Sequence, residues 1–275
     1  MKTCKRILGV VLMAAMLLSL LAVGAFAAED PAVLNVGSIN AMFIAPLELS
    51  NVDGITTTCS YAIGSLVYDQ LFYPTVEGTM ASDVVESYEY SEDYMSLTIK
   101  LKDNIYFASG DQLTGEDVLF SLACKQTGAR PAYYVCIDVD QSTVSDDGLT
   151  VTLVYKYPFG PGIRYLDIYL VNKSFYEELA PDGDYSKVDW YSIDSVDGSG
   201  PYKLVDYVQD TSAQLEKRED YWAGALEGRA DVINLIQYTD QTTMYIDFEN
   251  GVLDVAVDIS SLDAQRLQDG GVENG

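Results

Sequence analysis

Histidine is absent from all 275 residues of this chain. That removes the usual general base at neutral pH, the commonest zinc ligand and any Ser-His-Asp triad. Basic residues are scarce: 16 Lys and Arg stand against 42 Asp and Glu, a formal net charge of −26. So acidic a chain disfavours nucleic acid and anionic membrane surfaces as partners, because both are held by a positive field. The plain reading of the charge is solubility. Cysteine occurs only at Cys4, Cys59, Cys124 and Cys136, with no disulfide-framework pattern. No repeat, coiled-coil heptad or low-complexity tract interrupts the chain.

The one long apolar run lies at the N-terminus. Lys2, Lys5 and Arg6 precede Ile7 to Val23, apolar except for Gly9 and Ser19, and Ala25-Phe26-Ala27 sets small residues where signal peptidase reads. Residues 1–27 are therefore expected to be an export signal, cut after Ala27. The rival reading is an uncleaved anchor, since the run approaches spanning length. Beyond residue 27 stand 13 basic and 42 acidic residues, a charge of −29, and three cysteines. An odd number leaves at least one free thiol if the others pair. The expected role of Cys124 and Cys136 is that of small buried apolar residues.

The chain beyond residue 27 reads as mixed α and β. Leu34 to Gly37 is a first strand, and Pro46 breaks any helix over Met42 to Asn51. Ile63, Leu66, Val67 and Leu71 predict a helix over Tyr61 to Phe72. Met95, Leu97, Ile99 and Leu101 alternate with polar residues, as do Leu149, Val151, Leu153 and Tyr155, which predicts two half-buried strands. Thr114 with Asp117 three residues on reads as a helix start. Asn172 to Ala180 reads as a short helix stopped by Pro181, and Asp240 to Asn250 as another ending at Gly251. Val232 to Gln237 and Leu253, Val255 and Val257 are apolar strands.

The densest pattern runs from Gly198 to Trp222. It reads GSGPYKLVDY, then a polar gap, then LEKREDYW. Gly198 and Gly200 can take positive φ without steric cost, Pro201 turns the chain, and a hairpin comes next with its turn at Asp210 to Ser212. Three further segments join it: ASDVVESYEYS (Ala81 to Ser91), IKLKDNIYFASGDQLTGEDVLFSL (Ile99 to Leu122) and GVLDVAVD (Gly251 to Asp258). In this order they resemble the extracytoplasmic peptide-binding proteins of ABC importers, the large oligopeptide and dipeptide type. The resemblance rests on Glu86-Ser87-Tyr88, Phe107, Gly110, Leu113-Thr114, Glu116-Asp117-Val118, Phe120-Ser121, Gly200-Pro201-Tyr202, Tyr221-Trp222, Gly224, Gly251 and Asp254.

The resemblance implies a periplasmic-binding-protein-like α/β fold. Residues 28–57 and 160–258 would form a discontinuous first lobe, 58–159 an inserted α/β subdomain, and 259–275 the start of a crossing to a second lobe absent from this sequence. It implies a solute-binding protein rather than an enzyme, capturing peptides or another small solute for a membrane permease, without cofactor or metal. Ligand-facing residues would be Asn40, Ala41, Met42 and Phe43 after the first strand, with Ser199 and Tyr202 at the turn. Contact with an extended peptide there would be mostly through main chain. Cys4 lies before the apolar run, where lipid attachment has no place, so the expectation is a periplasmic or extracellular protein that is either free or retained some other way.

Asp138, Asp140, Asp146 and Asp147 suggest a calcium loop, but Thr143 and Leu149 stand where that loop needs Gly and an acid. An extracytoplasmic hydrolase using two carboxylates is the alternative function, and a nonfunctional truncation product is a third. The 21 tyrosines suit a cleft for varied ligands, with Tyr133-Tyr134 and Tyr165 to Tyr169 the runs of interest.

Overall fold

The computed structural model describes residues 31–40, 58–127, 134–160, 162–257 and 259–269. From Ala32 onward they form one unit. The strands are β1 (Val33–Ser38), β2 (Tyr73–Pro74), β3 (Met80–Ala81), β4 (Val85–Tyr90), β5 (Ser96–Leu101), β6 (Ile137–Val144), β7 (Thr150–Tyr155), β8 (Tyr202–Val208), β9 (Ser212–Lys217), β10 (Val232–Gln237) and β11 (Val255–Ala256). The helices are α1 (Thr58–Val67), α2 (Gly115–Thr127), α3 (Lys173–Leu179), α4 (Gln241–Glu249) and α5 (Ser261–Asp269).

Two sheets carry the fold. The first has the order β11-β1-β10-β9-β8. β1 runs parallel to β10 from Val33↔Val232 to Ser38↔Gln237, and parallel to β11 through Val36↔Val255. β9 pairs antiparallel with β10 and with β8. Ile233 opposes Leu215 and Leu235 opposes Ala213, so the four share one face, all buried. They pack with Ile63 and Val67 of α1 and with Tyr176 of α3. The β8–β9 turn falls where Asp210 takes φ +57°, a left-handed conformation that Asp tolerates better than most residues.

The chain leaves this sheet after β1 and returns at β8. Between them it builds the second sheet, antiparallel, in the order β4-β5-β7-β6. Leu97, Ile99 and Leu101 of β5 and Val151, Leu153 and Tyr155 of β7 are almost wholly buried, while Thr98 and Thr152 meet on the other face. The buried face packs against Val118 and Leu122 of α2 and against Ile105, Phe107 and Leu113. Each such aliphatic side chain contributes roughly 1.5–3 kcal/mol by leaving water. Thr114 starts α2 as expected, by a different bond: its N–H and hydroxyl both donate to Asp117 Oδ2, at 2.8 and 3.0 Å. The other Asp117 oxygen accepts the Lys173 N–H at 2.9 Å, so one buried carboxylate serves the starts of two helices.

The helix over Tyr61 to Phe72 and the last strand come out shorter than the sequence predicts. The helix expected to Phe72 stops at Val67, and Leu71 and Phe72 lie in a bend, bonded to the carbonyls of Ile168 and Leu166. The acid-bearing segment from Asp138 is the edge strand β6, bulged between Asp138 and Thr143. Its Ser142 hydroxyl donates to the Asp138 carbonyl at 2.7 Å and accepts from Val154 N–H at 3.0 Å. The last strand is only Val255–Ala256, while Leu253 turns into a small cluster with Met244, Tyr245 and Leu267. Cys124 and Cys136 are both buried, as expected, and no disulfide joins them.

Candidate functional site

The Gly-Ser-Gly-Pro turn is a junction. Gly198 and Gly200 do not use the left-handed backbone open to them. They are needed for close approach. A Cβ on Gly198 would fall 1.9 Å from the Val67 carbonyl oxygen, and one on Gly200 2.7 Å from that of Leu66. Gly200 N–H donates to the Val67 oxygen at 2.9 Å, satisfying a carbonyl that the end of α1 would leave unpaired. The turn therefore stops the helix.

Arg218 locks the junction from the other side. Its side chain is 2% exposed. Nη1 donates to the carbonyls of Gly198 (3.2 Å), Gly200 (3.4 Å) and Tyr106 (3.5 Å), and Nη2 to that of Phe107 (3.4 Å). Nε and Nη2 also hold the Asp220 carboxylate at 3.1 and 3.2 Å. A planar five-donor group suits this fan of acceptors, where a lysine would offer one point charge. The pairing holds the Asp220 carboxyl below its usual range.

Two buried acids complete the arrangement. Asp197 accepts from Ser109 N–H (2.9 Å), Ser109 Oγ (3.0 Å) and Asn172 Nδ2 (2.8 Å). Asn172 also caps α3 through Phe175 N–H. Burial raises the Asp197 carboxyl despite these donors. Asp69, just past the end of α1, accepts from Trp222 Nε1 at 2.8 Å and Tyr221 O–H at 3.4 Å, while its own N–H donates to Ser199 Oγ at 3.4 Å. Burial pushes the Asp69 carboxyl up to about 6, against those donors, and Asp83 adds repulsion. Both carboxylates have their oxygens engaged by protein donors, as suits fasteners rather than a catalytic pair.

The expected ligand-facing residues fall in two places. Ser199 is fully buried and Tyr202 nearly so, with the Tyr202 hydroxyl donating to the Ala230 carbonyl at 2.8 Å. Both side chains are engaged inside the protein and turn no polar group outward. Asn40 is half-buried just beyond the carboxyl end of β1, its N–H donating to Ser38 Oγ at 3.1 Å. Ala41, Met42 and Phe43 lie outside the described residues. β1, β10 and β11 are parallel, so Ser38, Gln237 and Ala256 end on one side. In open α/β sheets, ligands sit outside the carboxyl ends of such strands. Sequence reasoning missed Arg218, Asp69 and Asp197. The one signal for Arg218 was its place beside Lys217, between Glu216 and Glu219-Asp220, just before Tyr221-Trp222.

The sequence profile described as bacterial extracellular solute-binding proteins, family 5 (middle), matches residues 79–274. The probable peptide-binding protein YejA of Agrobacterium fabrum is 29% identical over 205 residues, covering 72% of this chain and 33% of that protein. The nickel-binding protein NikA of Staphylococcus aureus is 26% identical over 223 residues, covering 81% of this chain and 42% of that one. The solved structure of the oligopeptide-binding protein AppA from Bacillus subtilis, in complex with a nonapeptide, has the same fold over 82% of this chain and 44% of its own, with a TM-score of 0.68 at 21% identity. The chain spans less than half the length of these relatives.

Proposed function

The chain belongs to the bacterial extracellular solute-binding proteins of family 5, and from that premise we propose that it is the substrate-binding component of an ABC import system. It takes up peptides outside the cytoplasmic membrane and passes them to a permease. The observation that carries this reading is the family profile over residues 79–274, joined to a mixed sheet whose parallel strands end together beside Asn40. The ligand-facing surface is the segment of Asn40, Ala41, Met42 and Phe43, which offers main-chain groups to an extended peptide. Residues 28–57 and 160–258 are the first lobe and 58–159 its insert. Export follows cleavage after Ala27.

The relatives' names divide between peptides and nickel. Peptide is the better fit for a chain without histidine, since imidazole is a preferred nickel ligand. A site with one wall buries less of a ligand and satisfies fewer of its polar groups. Isothermal titration against a pool of random short peptides tests this. The 275-residue chain should bind weakly, and a form extended at its C-terminus to the length of its relatives should bind tightly. Equal, tight binding by both would show a self-contained site, and an extended form that takes nickel but no peptide would overturn the peptide assignment.

A further inference from the structure

A belt of aromatic rings lies along the β4 edge of the second sheet. Tyr88 and Tyr90 share a face with Ile99 and Leu97, their partners in β5, so both rings reach the rim of the core. Tyr88 meets buried Phe72 edge-on, ring centroids 5.5 Å apart, and Tyr90 at 6.3 Å. Tyr90 meets Tyr94 at 5.7 Å. A second run continues the belt. Buried Tyr155 lies against Phe159 at 5.6 Å, and Phe159 meets Tyr157 at 6.3 Å and Tyr165 at 5.5 Å. Phe159 N–H donates to the Tyr94 carbonyl at 3.1 Å and Ile163 N–H to the Tyr90 hydroxyl at 2.9 Å, which ties the two runs together. Core packing does not use up these rings: Tyr88, Tyr94 and Tyr157 are 47%, 49% and 51% exposed. Tyr94 is also held where a ring is costly. Its φ is +57°, a left-handed conformation that Gly or Asn occupies more cheaply and that a bulky side chain rarely takes. The β4–β5 turn alone calls for one of those two residues. What tyrosine adds there is a half-exposed ring.

We propose that this belt is a docking surface for a basic segment of a partner protein, which lays arginine or lysine side chains across the tyrosine rings. The charge around the belt selects that partner. Residues 76–95, which include β3, β4 and the turn, hold six acids and no base. Lys100 neutralises Glu86 at 2.7 Å, while Glu89, Glu92 and Asp93, interleaved with Tyr88, Tyr90 and Tyr94, are exposed. On the other run Lys156 and Arg164 adjoin Tyr157 and Tyr165, and Arg164 donates to the Gly78 carbonyl at 3.2 Å. The basic segment therefore meets the β4 side first. A cation over a tyrosine face is drawn to the ring electrons, and carboxylates alongside steer it there. Tyrosine suits such a contact because its body is apolar and its tip polar. A nucleic acid or an anionic lipid surface would meet the same acids and be repelled. The surface belongs to the second sheet and does not rest on the ligand reading of Asn40.

The test uses a capped octapeptide of alternating arginine and glycine, and its counterpart with citrulline for arginine, which keeps the shape and drops the charge. Titrated at low salt into the 275-residue chain, the arginine peptide should shift the ring resonances of Tyr88, Tyr94 and Tyr157. The citrulline peptide should bind several-fold more weakly. Tyr94→Gly and Tyr157→Ser leave the net charge alone, and each should weaken the arginine peptide by about two- to fivefold. Tyr94→Gly also relieves the left-handed backbone, so its thermal midpoint should stay level or rise while binding falls. Should that variant fail to fold by circular dichroism, Tyr94→Asn takes its place. Unchanged affinity in both tyrosine variants would place the binding on acids elsewhere and overturn the proposal. Equal binding of the citrulline peptide would do the same. Shifts of the three tyrosines with cellohexaose, and none with the arginine peptide, would make the belt a sugar platform instead.

Discussion

Arg218 shows how one side chain can be decisive without touching a ligand. Its guanidinium is buried while its carboxylate partner Asp220 is 72% exposed. The two should respond unequally to substitution. Asp220→Ala removes a solvated ion-pair partner and is expected to cost below about 1 kcal/mol. Arg218→Met takes a donor from the buried carbonyls of Gly198 and Phe107, which keep the N–H groups of Ala108 and Gly110, and leaves that of Gly200 short of one, at about 1–3 kcal/mol for a group left unsatisfied. The expected total is about 2–4 kcal/mol, read as a shift of the urea midpoint at constant slope. Equal costs for the two variants would mean that the ion pair, and not the carbonyl fan, carries the effect. No periodicity in the sequence marks such a residue, because its acceptors at Tyr106 and Phe107 lie more than 110 residues away.

At the level of elements, legibility tracked the regularity of the pattern. β5 and β7 largely alternate and β10 is mostly apolar, and they lie where the sequence places them. α3 and α4 carry side-chain caps at Asn172 and Asp240 and were equally plain. β6 was hidden because its bulge breaks the period of two and its acids suggested a loop. The end of α1 was hidden because it is set by a turn far downstream, at Gly198 to Gly200. That turn gives a sharp prediction. Gly198→Ala places a methyl group inside the van der Waals envelope of the Val67 carbonyl. With backbone on both sides, neither can yield cheaply. The variant is expected to lose about 3 kcal/mol or more, at or beyond the upper end of the roughly 1–3 kcal/mol typical of overpacking, seen as a lowered thermal midpoint. Gly224→Ala, where the space is open but φ is +95°, should show only the smaller backbone strain of about 1–2 kcal/mol.

For the whole molecule, the order of motifs made the family and the mixed α/β architecture readable before any coordinates. The ligand-facing surface was much less so. It is expected to be main chain, which leaves no signature in side-chain identity, and of the four residues expected after β1 only Asn40 lies among those described. The buried polar junction was illegible for a related reason. Asp69, Asp197 and Arg218 each become meaningful only when segments distant in sequence converge.

The interrupted path of the first sheet has a consequence in time. β1 finds its partner β10 only after the intervening chain has been made, as the Asn234–Asn35 side-chain bond across 199 residues shows. Closing so long a loop costs on the order of 4–5 kcal/mol of chain entropy before any contact repays it. β4–β5 and β6–β7 pair as hairpins, and β5 reaches β7 past α2 and β6, so these contacts are more local than that of β1 with β10. The second sheet is therefore expected to form first during refolding, with the parallel β1–β10 ladder closing last. Pulsed hydrogen-exchange labelling should find Leu97 and Leu153 amides protected in an earlier phase than those of β1. Simultaneous protection of both sheets would mean that the molecule folds as a single cooperative step despite its topology.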